Sequence, residues 1–124
     1  MDTARRSRPS RSGDLIRLLA ILSTSFALMS ADVAHAHPKN WHAPSWWLRE
    51  ALCVHSREGA WNANTGNGYY GGMQFLLSTW RSVGGRGYPH LATPREQLYR
   101  TWLVYLRDGH SWREWGTARA CGLR

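Results

Sequence analysis

The chain has 124 residues, is 43% hydrophobic and carries a formal net charge of +8, with two cysteines. That length allows one small domain with a correspondingly small core and excludes a multidomain assembly within these residues. The basic balance favours anionic partners.

The first 36 residues read as a secretory signal peptide. Arg5, Arg6, Arg8, Arg11 and Arg17 form a basic leader, and residues 18–29 form an apolar run. That run is too short to span a bilayer comfortably. Ala34-His35-Ala36 then gives a small-x-small cleavage triplet, and basic, apolar and cleavage regions in that order mark an export signal. The alternative is a retained anchor, which the short run disfavours. Cleavage after Ala36 leaves 88 residues with eleven Lys/Arg and five Asp/Glu, a net charge of +6. An exported, basic, monomeric domain with no stable membrane insertion meets wall polymers before it meets nucleic acid. A soluble surface with no particular polyanion site is the plainer reading of the same charge. Cys53 and Cys121 both fall in this part. An even pair in a small exported domain reads first as a disulfide, and metal binding by two such distant thiols as the weaker alternative. All eight tryptophans follow residue 40. Most are expected in the core, with one or two lining a sugar groove, since indole rings serve both uses.

In chain order, residues 37–44 are a polar, proline-containing flexible lead-in. Trp47, Leu48, Ala51, Leu52 and His55 recur at helical spacing, with Ser45 as N-cap and Gly59 at the end. Residues 62–72 are rich in Gly and Asn, and Gly costs roughly 1 kcal/mol in a helix interior, so tight turns and short extended pieces are expected. A second helix is expected over residues 77–83, stopped by Gly84-Gly85, and a loop over residues 85–92. Thr93-Pro94-Arg95-Glu96 is the clearest local signal: an N-cap, a proline in the first turn and a glutamate placed to close a capping box. Leu98, Trp102, Tyr105 and Leu106 are assigned to the apolar face of that third helix, which ends at Asp108-Gly109. A tail through Trp112, Trp115 and Cys121 follows. The fold class is α+β and mostly α, with about three helices around a hairpin-like segment, and the domain occupies residues 45–124.

Glu58 stands alone at the junction of the first helix and the Gly/Asn-rich segment, three residues before Trp61. A carboxyl group packed against an apolar wall keeps its proton more readily, because the charged form loses solvation. Such a group can deliver a proton to a leaving oxygen. Spacing alone equally allows a solvated side chain at a helix end.

A longer pattern narrows this. Trp47-x-x-x-Ala51-x-Cys53, Glu58-Gly59-x-Trp61, Asn64-Thr65-Gly66-Asn67-Gly68-Tyr69-Tyr70-Gly71-Gly72-Met73-Gln74-Phe75, Thr79-Trp80 and Gly84-Gly85 resemble the catalytic domain of resuscitation-promoting factors, a branch of the lysozyme-like superfamily close to soluble lytic transglycosylases. The resemblance covers roughly residues 41–122. It implies an exported enzyme that attacks the β-1,4 bond between N-acetylmuramic acid and N-acetylglucosamine in bacterial peptidoglycan glycan strands. It further implies a single essential glutamate, matched by Glu58, and neither cofactor nor metal. Trp61, Thr65, Asn67, Tyr70 and Gln74 would line the glycan, and Thr79 would lie near the acid.

The chain departs from the family in one place. The family's usual order is Cys-Glu-Ser-Gly-Gly-Asn-Trp, whereas here Val54 follows Cys53 and the Cys-to-Trp segment is two residues longer. Cys-x-His-x-x-Glu-Gly-x-Trp is a variant of the wider group, and it places the acid at Glu58. His55 is the nearest other titratable group and is read as packing on the first helix or exposed. Glu50, Glu96 and Asp108 offer no obvious second carboxylate for a two-acid mechanism. A single acid therefore suits attack by the muramic acid's own 6-hydroxyl, with hydrolysis by water left open. The alternatives are a wall-binding module that lost its chemistry and a secreted growth or resuscitation factor.

Overall fold

The computed structural model describes residues 37–124. The signal-peptide reading of residues 1–36 lies outside them. Among the described residues no helix is long and apolar enough to cross a membrane.

Helix α1 runs Ser45–Glu58. Its N-cap is Pro44, not Ser45, and no side chain caps it. Pro44 holds φ at −54° and lends its carbonyl to the Leu48 N–H at 2.9 Å, so the helical ladder starts one residue earlier than expected. Trp47, Ala51 and Val54 form the buried face, a 4–3 spacing that keeps them on one stripe. Leu52, expected on that stripe, is 43% exposed.

A two-stranded antiparallel hairpin follows. Strand β1 is Tyr69–Tyr70 and β2 is Phe75–Leu76, with Tyr69 opposite Leu76 and Tyr70 opposite Phe75. The turn between them carries Gly71 at φ 76° and Gln74 at φ 48°. Helix α2 spans Leu77–Ser82, one residue shorter than expected, and its chain exits through Gly84 at φ 80°. A Cβ on Gly85 would meet Trp80 at 2.3 Å, so the stop signal also makes room for a core indole. The loop that follows contains a short 3-10 turn, Pro89–Leu91.

Helix α3 spans Pro94–Arg107. The Glu96 N–H donates to Thr93 Oγ1 at 3.2 Å, as the cap signal predicts. The Glu96 side chain does not complete the capping box. Its Oε1 accepts from Arg100 Nε at 2.7 Å, and its Oε2 accepts the His37 backbone N–H at 2.5 Å with the His37 ring 2.9 Å away, because a guanidinium gives a carboxylate a stronger, charge-assisted contact than a backbone amide does. The buried face of α3 comprises Glu96, Gln97, Arg100, Thr101, Val104 and Tyr105, so Leu106, expected inside, is exposed. Residues 37–44 lie against this helix: Arg95 donates to the carbonyls of Lys39 and Trp41, and the Trp41 ring meets Tyr99 edge-on at 5.1 Å.

A 3-10 helix, Gly116–Cys121, closes the described chain. Cys53 and Cys121 are joined by a disulfide with Cα atoms 6.1 Å apart, which excludes the metal reading. The core gathers Trp47, Phe75, Trp80, Trp112 and Trp115 around Met73 and Val104. Each fully buried side chain of this kind contributes roughly 1.5–3 kcal/mol. Four tryptophans are buried, and Trp46 is the most exposed at 45%.

Candidate active site

Glu58 is the last residue of α1, and Gly59 takes the extended backbone at φ 166° that turns the chain away. The carboxylate is half-buried. The Thr117 hydroxyl, on the 3-10 helix, donates to Glu58 Oε1. The disulfide joins the same two segments, four residues further on in the 3-10 helix and one and a half turns back in α1. Glu58 is thereby held from the C-terminal side of the fold, across 59 residues of sequence.

The Gly-rich segment is shaped from underneath by one buried amide. Gln97, fully buried in α3, accepts the Gly72 N–H at 2.8 Å and donates to the carbonyls of Trp61 at 2.9 Å and Ala92 at 3.0 Å. Trp61 stacks on His55 with ring centroids 3.8 Å apart and planes 20° from parallel. His55 Nδ1 donates to the Gly72 carbonyl at 2.7 Å, since a carbonyl can only accept. A Cβ on Gly72 would lie 2.4 Å from Trp61 and 2.8 Å from His55 Nδ1, so this stack requires glycine at position 72. His55, read from sequence as a packing group, is a strut for the loop.

A pocket of about 260 Å³ is lined by Tyr69, Gln74, Phe75, Leu76, Thr79, Glu114 and Trp115. Gln74 and Thr79, both assigned to the site from sequence, meet here. Gln74 also adjoins Glu58's end of α1: a Cβ on Gly59 would sit 3.5 Å from Gln74 Nε2. The Gln74 amide donates to the Gly71 carbonyl at 2.9 Å, which fixes its aim. The remaining assigned residues are elsewhere. Thr65 and Asn67 are exposed on the turn before β1, with Asn67 Oδ1 accepting the Tyr69 N–H at 3.0 Å. Tyr70 stacks on His90 and meets Tyr88 edge-on, while its neighbour Tyr69 lines the pocket. Trp61 faces His55, and Trp115 is the indole that lines the pocket. Its Nε1 donates to the Met73 carbonyl at 2.8 Å.

The carboxylates weighed as partners for Glu58 are engaged elsewhere. Glu50 Oε2 accepts from Trp112 Nε1 at 2.8 Å. Glu96 is held by Arg100. Asp108 is tied to Arg107 at 3.0 Å and to Arg113 at 3.4 Å. Burial pushes the Asp108 carboxyl up, but hydrogen bonds and charge from the two guanidiniums outweigh it and hold the group below the ordinary carboxylate value. Sequence reasoning missed Glu114, which lines the pocket. Nothing local marks it, because it arrives from the loop after α3. A larger cavity of about 730 Å³ shares Trp115 with this pocket and is lined by Trp112, Arg113, Arg119 and Arg124 among others. None of the residues assigned to the site lines it.

A short helical domain whose first helix ends in a held carboxylate, next to a hairpin-walled pocket, has the lysozyme-like arrangement. The chain belongs to the transglycosylase-like domain family, which matches residues 45–118. It is 43% identical over 86 residues to the resuscitation-promoting factor Rpf of Micrococcus luteus, covering 69% of this chain and 37% of that one. It is 41% identical over 81 residues to the resuscitation-promoting factor RpfC of Mycobacterium tuberculosis, covering 65% and 53%. RpfD of the same species is 55% identical over 49 residues, 40% of this chain and 32% of its own. The chain thus spans about a third to a half of the length of these curated relatives.

Proposed function

We propose that this protein cleaves the glycan strands of bacterial peptidoglycan at the β-1,4 bond after N-acetylmuramic acid, with Glu58 as the only acid–base group. The observation that carries this reading is the Thr117–Glu58 hydrogen bond at the end of α1, next to the pocket residue Gln74. A positioned carboxyl group beside a sugar-sized pocket is the minimum a glycosidase needs.

In this mechanism Glu58 gives its proton to the bridging oxygen as the C1–O bond breaks, leaving an oxocarbenium-like sugar. The muramic acid's 6-hydroxyl then attacks C1 and returns its proton to Glu58. No water is consumed, and the product ends in a 1,6-anhydro ring. The Thr117 hydroxyl points the carboxylate and stabilises its ionised form between the two proton transfers. Gln74, Thr79 and Tyr69 supply hydrogen bonds to the glycan, and Trp115 supplies an apolar wall. Trp61, Thr65, Asn67 and Tyr70 extend the surface along the same loop.

Residues 1–36 are the export signal, removed after Ala36, and residues 37–124 act at the cell wall as a monomer that does not insert in the membrane. The decisive experiment digests purified peptidoglycan and analyses the soluble fragments by mass spectrometry. Anhydro ends from the wild type and none from a folded Glu58→Gln variant are expected. Reducing ends would transfer the reading to hydrolysis by water. Clearing by Glu58→Gln at the wild-type rate would remove Glu58 from the mechanism. Absence of clearing by the wild type would favour the non-catalytic wall-binding module or the secreted growth factor.

A further inference from the structure

The pocket between the hairpin, α2 and Trp115 has one charged side chain in its lining, Glu114, although residues 37–124 carry a net charge of +6. Its other polar groups are the Tyr69 and Thr79 hydroxyls and the Gln74 amide. These can both donate to and accept from a neutral sugar. A carboxylate adds something different, because it accepts only and it attracts a cation.

The surroundings leave that carboxylate able to act. Arg107 Nη2 is 3.8 Å from Glu114 Oε1, and the two side chains are 42% and 41% exposed. A long, exposed pair of this kind contributes little. The same guanidinium is committed elsewhere: its Nε donates to Asp108 Oδ1 at 3.0 Å and its Nη1 to Ser82 Oγ at 2.9 Å. Arg113 also turns towards Asp108. Glu114 is the most loosely held member of this four-charge set, its single ion pair among the described residues being the 3.8 Å approach of Arg107. It also lies three residues before Thr117, whose hydroxyl holds Glu58, so at most roughly 11 Å of backbone separates the two positions. The segment that positions the acid, entering the 3-10 helix, therefore also presents Glu114 to the pocket.

We propose that Glu114 is a specificity-determining residue of this pocket, its carboxylate taking the free ammonium of a de-N-acetylated amino sugar in the glycan strand. The inference rests on the reading of the pocket as part of the glycan groove. An N-acetyl group shows the carboxylate a single neutral N–H. A free amine shows it a charged group with three donors, and charge-assisted hydrogen bonds are about twice as strong as neutral ones.

The test is calorimetric binding of two probes, the β-1,4 hexamer of N-acetylglucosamine and the corresponding glucosamine hexamer, at about pH 6, where amino sugars carry their proton. The Glu58→Gln protein is compared with the Glu58→Gln/Glu114→Gln protein, with melting curves to show that both are folded. Loss of Glu114 is expected to weaken the glucosamine hexamer about tenfold and the acetylated hexamer less than twofold. High salt should erase the difference between the probes. An equal loss for both probes, or no loss for either, overturns the proposal. The groove reading fails in a distinguishable way, with neither hexamer binding while Glu114 is intact, and that result removes both.

Discussion

Replacing both cysteines by alanine tests how the fold holds its acid. The bridge joins residues 68 apart. In the chain-entropy model, closing a loop of that size stabilises the folded state by roughly 4.4 kcal/mol at 25 °C. Domains of this size have only about 5–10 kcal/mol in total, so most of the margin is at stake. For a chain of 60–100 residues, 1 kcal/mol shifts the melting temperature by about 4–8 °C. Cys53→Ala/Cys121→Ala should therefore melt roughly 18–35 °C lower, read by circular dichroism. The bridge also ties the helix bearing Thr117 to the helix ending in Glu58. Wall clearing should accordingly fall even at a temperature where the variant is still folded. A melting temperature within about 5 °C of wild type, with unchanged clearing, would refute both the entropic argument and the link to Glu58.

Other expectations follow from single contacts. Thr117→Val removes the donor to Glu58 and should lower wall-clearing activity about tenfold, while the melting temperature moves by a few degrees at most. Gly72→Ala forces a Cβ into the Trp61–His55 stack. It should cost about 1–3 kcal/mol by denaturant unfolding, with a loss of indole fluorescence order around Trp61. Asp108→Asn removes a buried carboxylate whose folded pKa is depressed. Its contribution is present above the unfolded value near 3.9 and is lost as pH falls through the lower folded value. The stability gap between wild type and Asp108→Asn should therefore be widest near neutrality and close below about pH 4, measured by urea unfolding at a series of pH values.

Features carried by neighbouring residues were legible in the sequence. Thr93-Pro94 starts α3 where the cap signal puts it, and its N–H bond is local. The Gly/Asn run turns back on itself as a hairpin because its glycines take positive φ. The two cysteines pair because no other thiol is present. What escaped depends on partners far along the chain. Glu96 has the right spacing for a capping box, but His37 arrives from 59 residues away to share its carboxylate. Gln97 reads as an ordinary helix residue, and only tertiary packing brings three loop backbone groups to its amide. Glu114 has no local signal, because the pocket it lines is assembled from the hairpin, α2 and the loop after α3. Tyr69 and Tyr70 are adjacent, and strand alternation sends them to opposite faces. A reading by motif alone does not distinguish which of the two meets the pocket.

The Gln97 amide has a consequence for the order of events during synthesis. It bonds to Trp61 and Gly72 across 36 and 25 residues, so the hairpin loop lacks its support until α3 has docked. Contacts this distant in sequence form late, because chain closure must precede them. Thr117 and Cys121 lie later still. A chain emerging N-terminus first would present the glutamate early, yet it would have neither a shaped loop nor a fixed carboxylate until residues 117–121 had followed. Under the proposed glycan-cleaving function, this built-in delay would keep the nascent chain inert without any separate inhibitor.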